Sequence, residues 1–306
     1  MAEKFAFPEK LWYFCTQNIQ NTTQMAKIIS VLNDKGGVAK TTTVANLGTA
    51  LWLMGKRVLL IDTDKQCNLT ITLDRTAAQG VDSIYEWLLD ASIEPPIYSR
   101  YEGLSFIPSS RKMSNINTLL ADKVHREHYL KKRLSTIEDN FDYILIDCAP
   151  GGEGLMNINA LAASNGVIIP AKTDFYSIHG KNSIMSLIKD VREGMEIELP
   201  VLGYLFVMFD AHTKIGKEIR RYFAENSEVP MIPVQIRRCI KVDECIQNEQ
   251  TLYEYAPDST AAEDYMRLAE YILGLPVQPR KKSNPQIWGS KANAAYEQFI
   301  KEREEN

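Results

Sequence analysis

The clearest chemistry lies at residues 33–43, read as Asn33-Asp34-Lys35-Gly36-Gly37-Val38-Ala39-Lys40-Thr41-Thr42-Thr43. Glycines let backbone N–H groups approach an anion, and the start of a helix beyond them adds partial positive charge. At this spacing Lys40 can reach the β- and γ-phosphates of a nucleotide, and the Thr41 hydroxyl can coordinate Mg²⁺. Gly36, Gly37, Val38, Ala39 and Thr42 supply the rest of the cradle. Two acidic sites follow, first Asp62 and Asp64, then Asp147. Each ends an apolar run, and carboxyl ends of parallel strands are where open α/β sheets bind ligands. The loop departs from the ordinary G-x-x-x-x-G-K-[ST] pattern, with Asp34 and Ala39 at its two glycine positions. If Ala39 must take a positive φ, the strain is about 1–2 kcal/mol.

The elements that position these residues follow from periodicity. Lys27 to Leu32 is a β-branched, apolar run that reads as a buried strand. Val44, Leu47, Leu51 and Met54 recur at helical spacing after the loop, so the order is strand, glycine loop, helix. Gly55-Lys56 stops that helix, and Arg57 to Ile61 forms a second strand ending in Asp62. Phe141 to Asp147 is a third buried strand, closed by a turn at Pro150-Gly151. Further strands are expected at 104–108, 165–170 and 201–208. Val81, Ile84, Tyr85 and Leu88 indicate a helix, and Pro95-Pro96 breaks the chain after it. Leu119, Leu120, Val124, Leu130 and Leu134 give the apolar face of another. Ser259 or Asp258 can cap a last helix carrying Ala262, Tyr265, Leu268, Ala269 and Ile272. The fold class is therefore α/β, a doubly wound, mostly parallel sheet with helices on both faces.

From about Lys27 to Leu273 the chain resembles the ParA/MinD family of deviant Walker A P-loop ATPases, and within it the ParA/Soj-type partition ATPases. Lys35-Gly36-Gly37 with Lys40-Thr41 matches the K-G-G-x-x-K-[ST] loop, and Val58 to Gln66 resembles the second signature, with Lys65 in place of a proline. The strand ending at Asp147 resembles a Walker B strand, Ala149 removing one of its usual prolines. The resemblance implies a P-loop NTPase fold, ATP and Mg²⁺ as cofactors, and an ATP-bound homodimer in which Lys35 crosses to the partner's nucleotide. It implies that Lys35, Lys40 and Asp64 are catalytic, Asp64 orienting the attacking water. It also implies that Thr41, Asp62 and Asp147 serve the metal. By the same resemblance, Asp210, just beyond the 201–208 strand, and Arg237, replacing a proline near the adenine, would fall near the base. Thr173 to Gly180 resembles the loop before a long helix, where His179 lacks an acid partner and reads as structural.

A net charge of −4 over 306 residues is too small to imply a nucleic-acid partner, so any such surface must be a local patch. Lys214, Lys217, Arg220 and Arg221 share one helix face, and Arg238 and Lys241 follow. Either this is a solvated face, or it is the surface that lets the family's dimer bind DNA without sequence preference through phosphate contacts. Arg111, Lys112, Lys123, Arg126, Lys131, Lys132 and Arg133 form a second basic stretch, read as a solvated face. Five cysteines form no C-x-x-C pair or metal-type cluster, which argues for reduced thiols and against a cluster-bearing electron-transfer ATPase. No apolar run approaches a membrane span and no signal-peptide pattern opens the chain, so a cytoplasmic protein is expected, and the family resemblance implies nucleoid association. Expected domains are an arm at 1–24, the ATPase domain at 25–275, and a partly helical extension at 276–306. The expected role is DNA segregation, with hydrolysis stimulated by a ParB-like centromere-binding or other protein. Alternatives are a MinD-like membrane-associated positioning ATPase, disfavoured by the acidic C-terminus, and an ATP-switch regulator with negligible turnover.

Overall fold

Short runs rich in Val, Ile and Leu can sit side by side only if helices hide both of their faces. In the computed structural model such runs form β1 (Lys27–Val31), β2 (Val58–Asp62), β5 (Tyr143–Asp147), β6 (Gly166–Lys172) and β7 (Val201–Val207). Two shorter strands, β3 (Tyr98–Tyr101) and β4 (Leu104–Ile107), make a hairpin at one edge. The described residues are 25–80, 82–152, 154–210 and 213–277, with Ala294 and Glu297. The expected arm at 1–24 and most of the expected extension lie outside them, as do the side chains of 175–181, including that of His179.

The sheet runs β3-β4-β2-β5-β1-β6-β7, with β3 antiparallel to β4 and every other neighbouring pair parallel. Between β1 and β2 comes α1 (Lys40–Leu53), and α2 (Asn68–Leu73) and α3 (Ile84–Leu89) follow β2. Then come α4 (Ile116–Leu120), α5 (Tyr129–Leu134), α6 (Leu155–Ala163) and α7 (Phe175–Met195). The rest are α8 (Lys214–Asn226), α9 (Lys241–Gln247), α10 (Leu252–Tyr255) and α11 (Thr260–Ile272). Alternation along the strands sorts the core in two. Ile29, Val31, Leu60 and Ile168 meet Val44, Leu47 and Leu51 of α1 and Tyr265, Leu268 and Ala269 of α11. Ile28, Leu59, Ile144 and Ile169 meet Trp87 of α3, Leu130 of α5, Leu161 of α6 and Ile188 of α7.

Most expected elements are present, including the last helix, whose Ser259 hydroxyl accepts from the Ala262 N–H at 3.3 Å. Two expectations change. The helix expected through Leu119 to Leu134 is two short helices, because His125 takes a left-handed φ of 53° between them. Leu120, Leu130 and Leu134 are buried, while Leu119 and Val124 are exposed. β3 was not expected; it is an edge strand in which Arg100 and Tyr101 are buried.

Arg100 explains how this edge is fastened. Its Nε and Nη2 donate to Glu254 Oε1 at 3.1 and 2.8 Å, and its Nη1 donates to the Leu73 carbonyl at 2.5 Å. The Tyr101 hydroxyl also donates to Glu254, so α10, α2 and β3 meet at one buried ion pair. Removing one partner of such a pair strands the other charge, at about 3–5 kcal/mol. Glu254→Leu is therefore expected to lower the unfolding free energy by about that amount, and adding Arg100→Met to recover most of it. Urea unfolding of the single and double variants checks both.

Candidate phosphate and metal site

Two straps hold the loop after β1. On the β6 side, Asn33 Nδ2 donates to the Pro170 carbonyl at 2.6 Å, while Asn33 Oδ1 accepts from the Lys35 N–H at 3.0 Å. On the β5 side, the Asp34 carbonyl accepts from the Gly151 N–H at 3.0 Å, and its carboxylate accepts from the Ser183 hydroxyl of α7. A Cβ on Gly152 would lie 2.0 Å from Asp34 Oδ1, so a side chain there would evict the aspartate. Asp34, in the first glycine position, is thus an anchor of the loop.

Ala39 closes the loop in the left-handed region, φ 57° and ψ 34°, and is the residue before α1. No side chain caps that helix start. The first N–H groups of a helix have no intrahelical acceptor, so those after Ala39 are available to an anion. Lys40 is buried, and its ammonium donates to the Asn33 and Lys35 carbonyls at 3.0 and 2.9 Å. Burial pushes its pKa down, opposed by the charges of Asp147, Cys148, Asp64 and Asp34.

Parallel pairing in register places Asp62 opposite Asp147 at the carboxyl end of the sheet. The Thr41 hydroxyl donates to Asp147 Oδ2 at 2.7 Å, while Asp147 Oδ1 is buried without a hydrogen-bond partner. Burial, then the nearby Asp62 charge, raises the Asp147 pKa well above the usual carboxylate range. Asp62 is differently employed. Its Oδ1 accepts from the Asp64 N–H at 3.0 Å, and its Oδ2 accepts from the Thr70 N–H and hydroxyl at 2.9 and 2.7 Å. Burial still raises its pKa to about 6. Asp62 therefore holds the turn that presents Asp64. Asp64 Oδ1 in turn accepts from the Gln66 N–H at 3.0 Å, so two side-chain-to-backbone bonds stiffen a turn that lacks its family proline at Lys65.

Among the described residues no three His, Cys, Asp or Glu side chains form a metal cage. What is present is one hydroxyl and one orphaned carboxylate oxygen beside a phosphate cradle. That set fits Mg²⁺, which is commonly held by one or two protein oxygens with water and substrate phosphates filling the shell.

The remaining expected residues lie farther out. Lys35 Nζ faces Asp174 Oδ1 of its own chain at 3.6 Å. Asp210 is exposed, its carbonyl accepting from the Thr213 hydroxyl at 3.0 Å just before α8. Arg237 was expected at the base, but its guanidinium is bound to Asp264 at 2.8 Å and Glu263 at 2.9 Å, fastening α11. Lys214, Lys217, Arg220 and Arg221 are exposed along α8, where Arg221 pairs with Glu225. The Arg238 N–H donates to the Phe209 carbonyl at 3.1 Å, which brings Arg238 to the start of that helix. Lys241 pairs with Glu244 at 2.7 Å. Sequence reasoning passed over Asn33, Thr70, Gly152 and Ser183; their contacts join distant segments, and only the neighbourhood of Asn33 to the glycines hinted at a role.

Ala39→Gly is expected to raise stability by about 0.5–1 kcal/mol, since relief of left-handed strain exceeds the added chain entropy. Thermal or urea unfolding checks this, and a loss of stability would contradict the strain.

The fold has known counterparts. Residues 26–201 match a family model described as an AAA domain. Over 254 residues the chain is 35% identical to the sporulation initiation inhibitor protein Soj of Bacillus subtilis (strain 168), covering 81% of this chain and 98% of that one. It is 34% identical over 255 residues to the chromosome-partitioning ATPase Soj of Treponema pallidum (strain Nichols), with the same coverage. Among solved structures it resembles cobyrinic acid a,c-diamide synthase of Mycobacterium smegmatis with bound ADP and magnesium, at a TM-score of 0.72 and 30% identity, over 81% of this chain and 94% of that one. It shares its fold with a variant of Cyanothece McdA in complex with ATP, at a TM-score of 0.73 and 22% identity, over 84% of this chain and 100% of that one.

Proposed function

We propose, for a chain that belongs to the ParA/MinD family of P-loop ATPases, a partition-type ATPase that couples Mg²⁺–ATP binding to dimerisation and to DNA. The observation that carries the reading is the buried, unpartnered Asp147 Oδ1 beside the Thr41 hydroxyl at the mouth of the loop. Thr41 and Asp147 would hold Mg²⁺, directly or through water. Bound Mg²⁺ supplies charge neutralisation on the phosphate oxygens.

The chain's own groups do the rest. Lys40 donates to two neutral carbonyls, and phosphate oxygens are stronger acceptors for an ammonium. The N–H groups from Gly36 to Thr42 cradle the phosphates. Asp62 fixes the turn, and Asp64 orients water for in-line attack. No imidazole or other strong base stands among the groups assigned here, so turnover rests on positioning and charge neutralisation and is slow. Lys35 serves the nucleotide of a second copy, which requires it to leave Asp174. Asp210 lies on the base side.

The exposed cations of α8, with Arg238 and Lys241, form the surface for DNA in the ATP-bound dimer. They offer charge density without a built base-reading geometry, so affinity is sequence-independent and salt-sensitive. A ParB-like DNA-bound protein is the stimulating partner. No helix among the described residues is long and apolar enough to cross a membrane.

The test is retention on random-sequence duplex DNA at about 50 mM salt, with ATP, ADP or no nucleotide. Retention is expected only with ATP, and is lost in Lys217→Ala/Arg221→Ala and by about 200 mM salt. Equal retention in all three conditions would sink the coupling. Separately, Asp64→Ala is expected to cut phosphate release about 10²-fold while leaving ATP binding within a few-fold; an unchanged rate would remove Asp64 from the chemistry.

A further inference from the structure

We propose that Lys172 is a further phosphate-binding lysine of this site, alongside Lys40 of the same chain and the Lys35 that a second copy would contribute; the assignment rests on the nucleotide reading above. Lys172 is the last residue of β6, at the carboxyl edge of the sheet beside β1. Side chains alternate along a strand, so Lys172 projects to the same face as Ile168, the face that α1 covers. Two residues earlier, the Pro170 carbonyl holds Asn33, which pins the end of β6 against the phosphate loop.

The consequence is a close approach. A Cβ built on Gly37 would lie 4.0 Å from Lys172 Nζ, so this ammonium sits over the glycine turn of the loop. Gly37, at a φ of 69° that favours glycine, has no side chain to block such an approach. The three lysines differ in what they hold. Lys40 has two carbonyls and Lys35 faces Asp174. Lys172 is half-buried and forms no hydrogen bond or ion pair with any described residue. A cation with no counter-ion among the described residues is left to pair with an arriving anion. The anion this loop is shaped for is a nucleotide phosphate.

The competing reading is that the Lys172 stem merely packs over Gly37, with the charge incidental. Full-length protein, Lys172→Met and Lys172→Arg separate the two by calorimetric titration with Mg²⁺ and a non-hydrolysable ATP analogue at several salt concentrations. Lys172→Met keeps the stem and loses the charge, and its Kd is expected to rise about tenfold with a shallower salt dependence. Lys172→Arg should stay within about threefold of the parent. If Lys172→Met binds like the parent, or Lys172→Arg is weakened as much as Lys172→Met, the assignment is wrong. Should Lys172→Met fail to fold by circular dichroism, Lys172→Gln replaces it with the same expectations. Failure of the parent itself to bind the analogue would overturn the nucleotide reading, and Lys172 with it; binding by the parent with no effect at Lys172 overturns this inference alone.

Discussion

One hydrogen bond, from the Thr41 hydroxyl to Asp147, joins the first residues of α1 to the end of β5 across 106 positions of sequence. It requires that β1 and β5 be neighbours, that both end at the same level, and that the loop between β1 and α1 turn back over the sheet edge. The parallel register Val31↔Asp147 supplies the first two conditions. The left-handed Ala39 and the Asn33 and Asp34 straps supply the third. Everything else at the site is arranged around that junction. Asp62 sits across from Asp147 by strand pairing, Lys40 folds back beneath the loop, and Asp64 is held over the turn by its neighbour.

The electrostatics explain why such a junction favours a ligand. Asp62 and Asp147 are both buried, and burial raises both pKa values. The basic side chain buried nearby, Lys40, is itself pushed down by burial. Buried carboxylates and an under-solvated ammonium are each expensive, and each is relieved by a partner of opposite charge. A magnesium–nucleotide complex brings both signs at once, a cation toward Asp147 and an anion toward Lys40.

Much of this was legible in the sequence because the signals were local. A β-branched run, glycines, two spaced lysines and a helical repeat, all within about thirty residues, specify strand, loop and helix in order. Strands ending in Asp62 and Asp147 were readable for the same reason. Contacts between distant segments were not. Nothing near Thr70 announces that it holds Asp62, and nothing near Gly152 announces that it makes room for Asp34. Leu119 and Val124 imitate a helical stripe, but the chain turns at His125 and leaves both in solvent. β3 escaped notice because its buried positions include an arginine, whose burial makes sense only beside Glu254.

Lys35 is the residue through which the proposed site would extend to a second copy of the chain. Its side chain lies at the rim, facing Asp174 at 3.6 Å, while Lys40 is committed to the loop beneath. The central claim is that this second lysine makes nucleotide binding and self-association one event. Light scattering with Mg²⁺ and a non-hydrolysable ATP analogue tests it directly. The expected mass is twice the 34.7 kDa of the chain, returning to a single chain for Lys35→Ala with analogue affinity retained. A parent protein that saturates with analogue yet stays at one chain, or a Lys35→Ala variant that still doubles, would contradict the account.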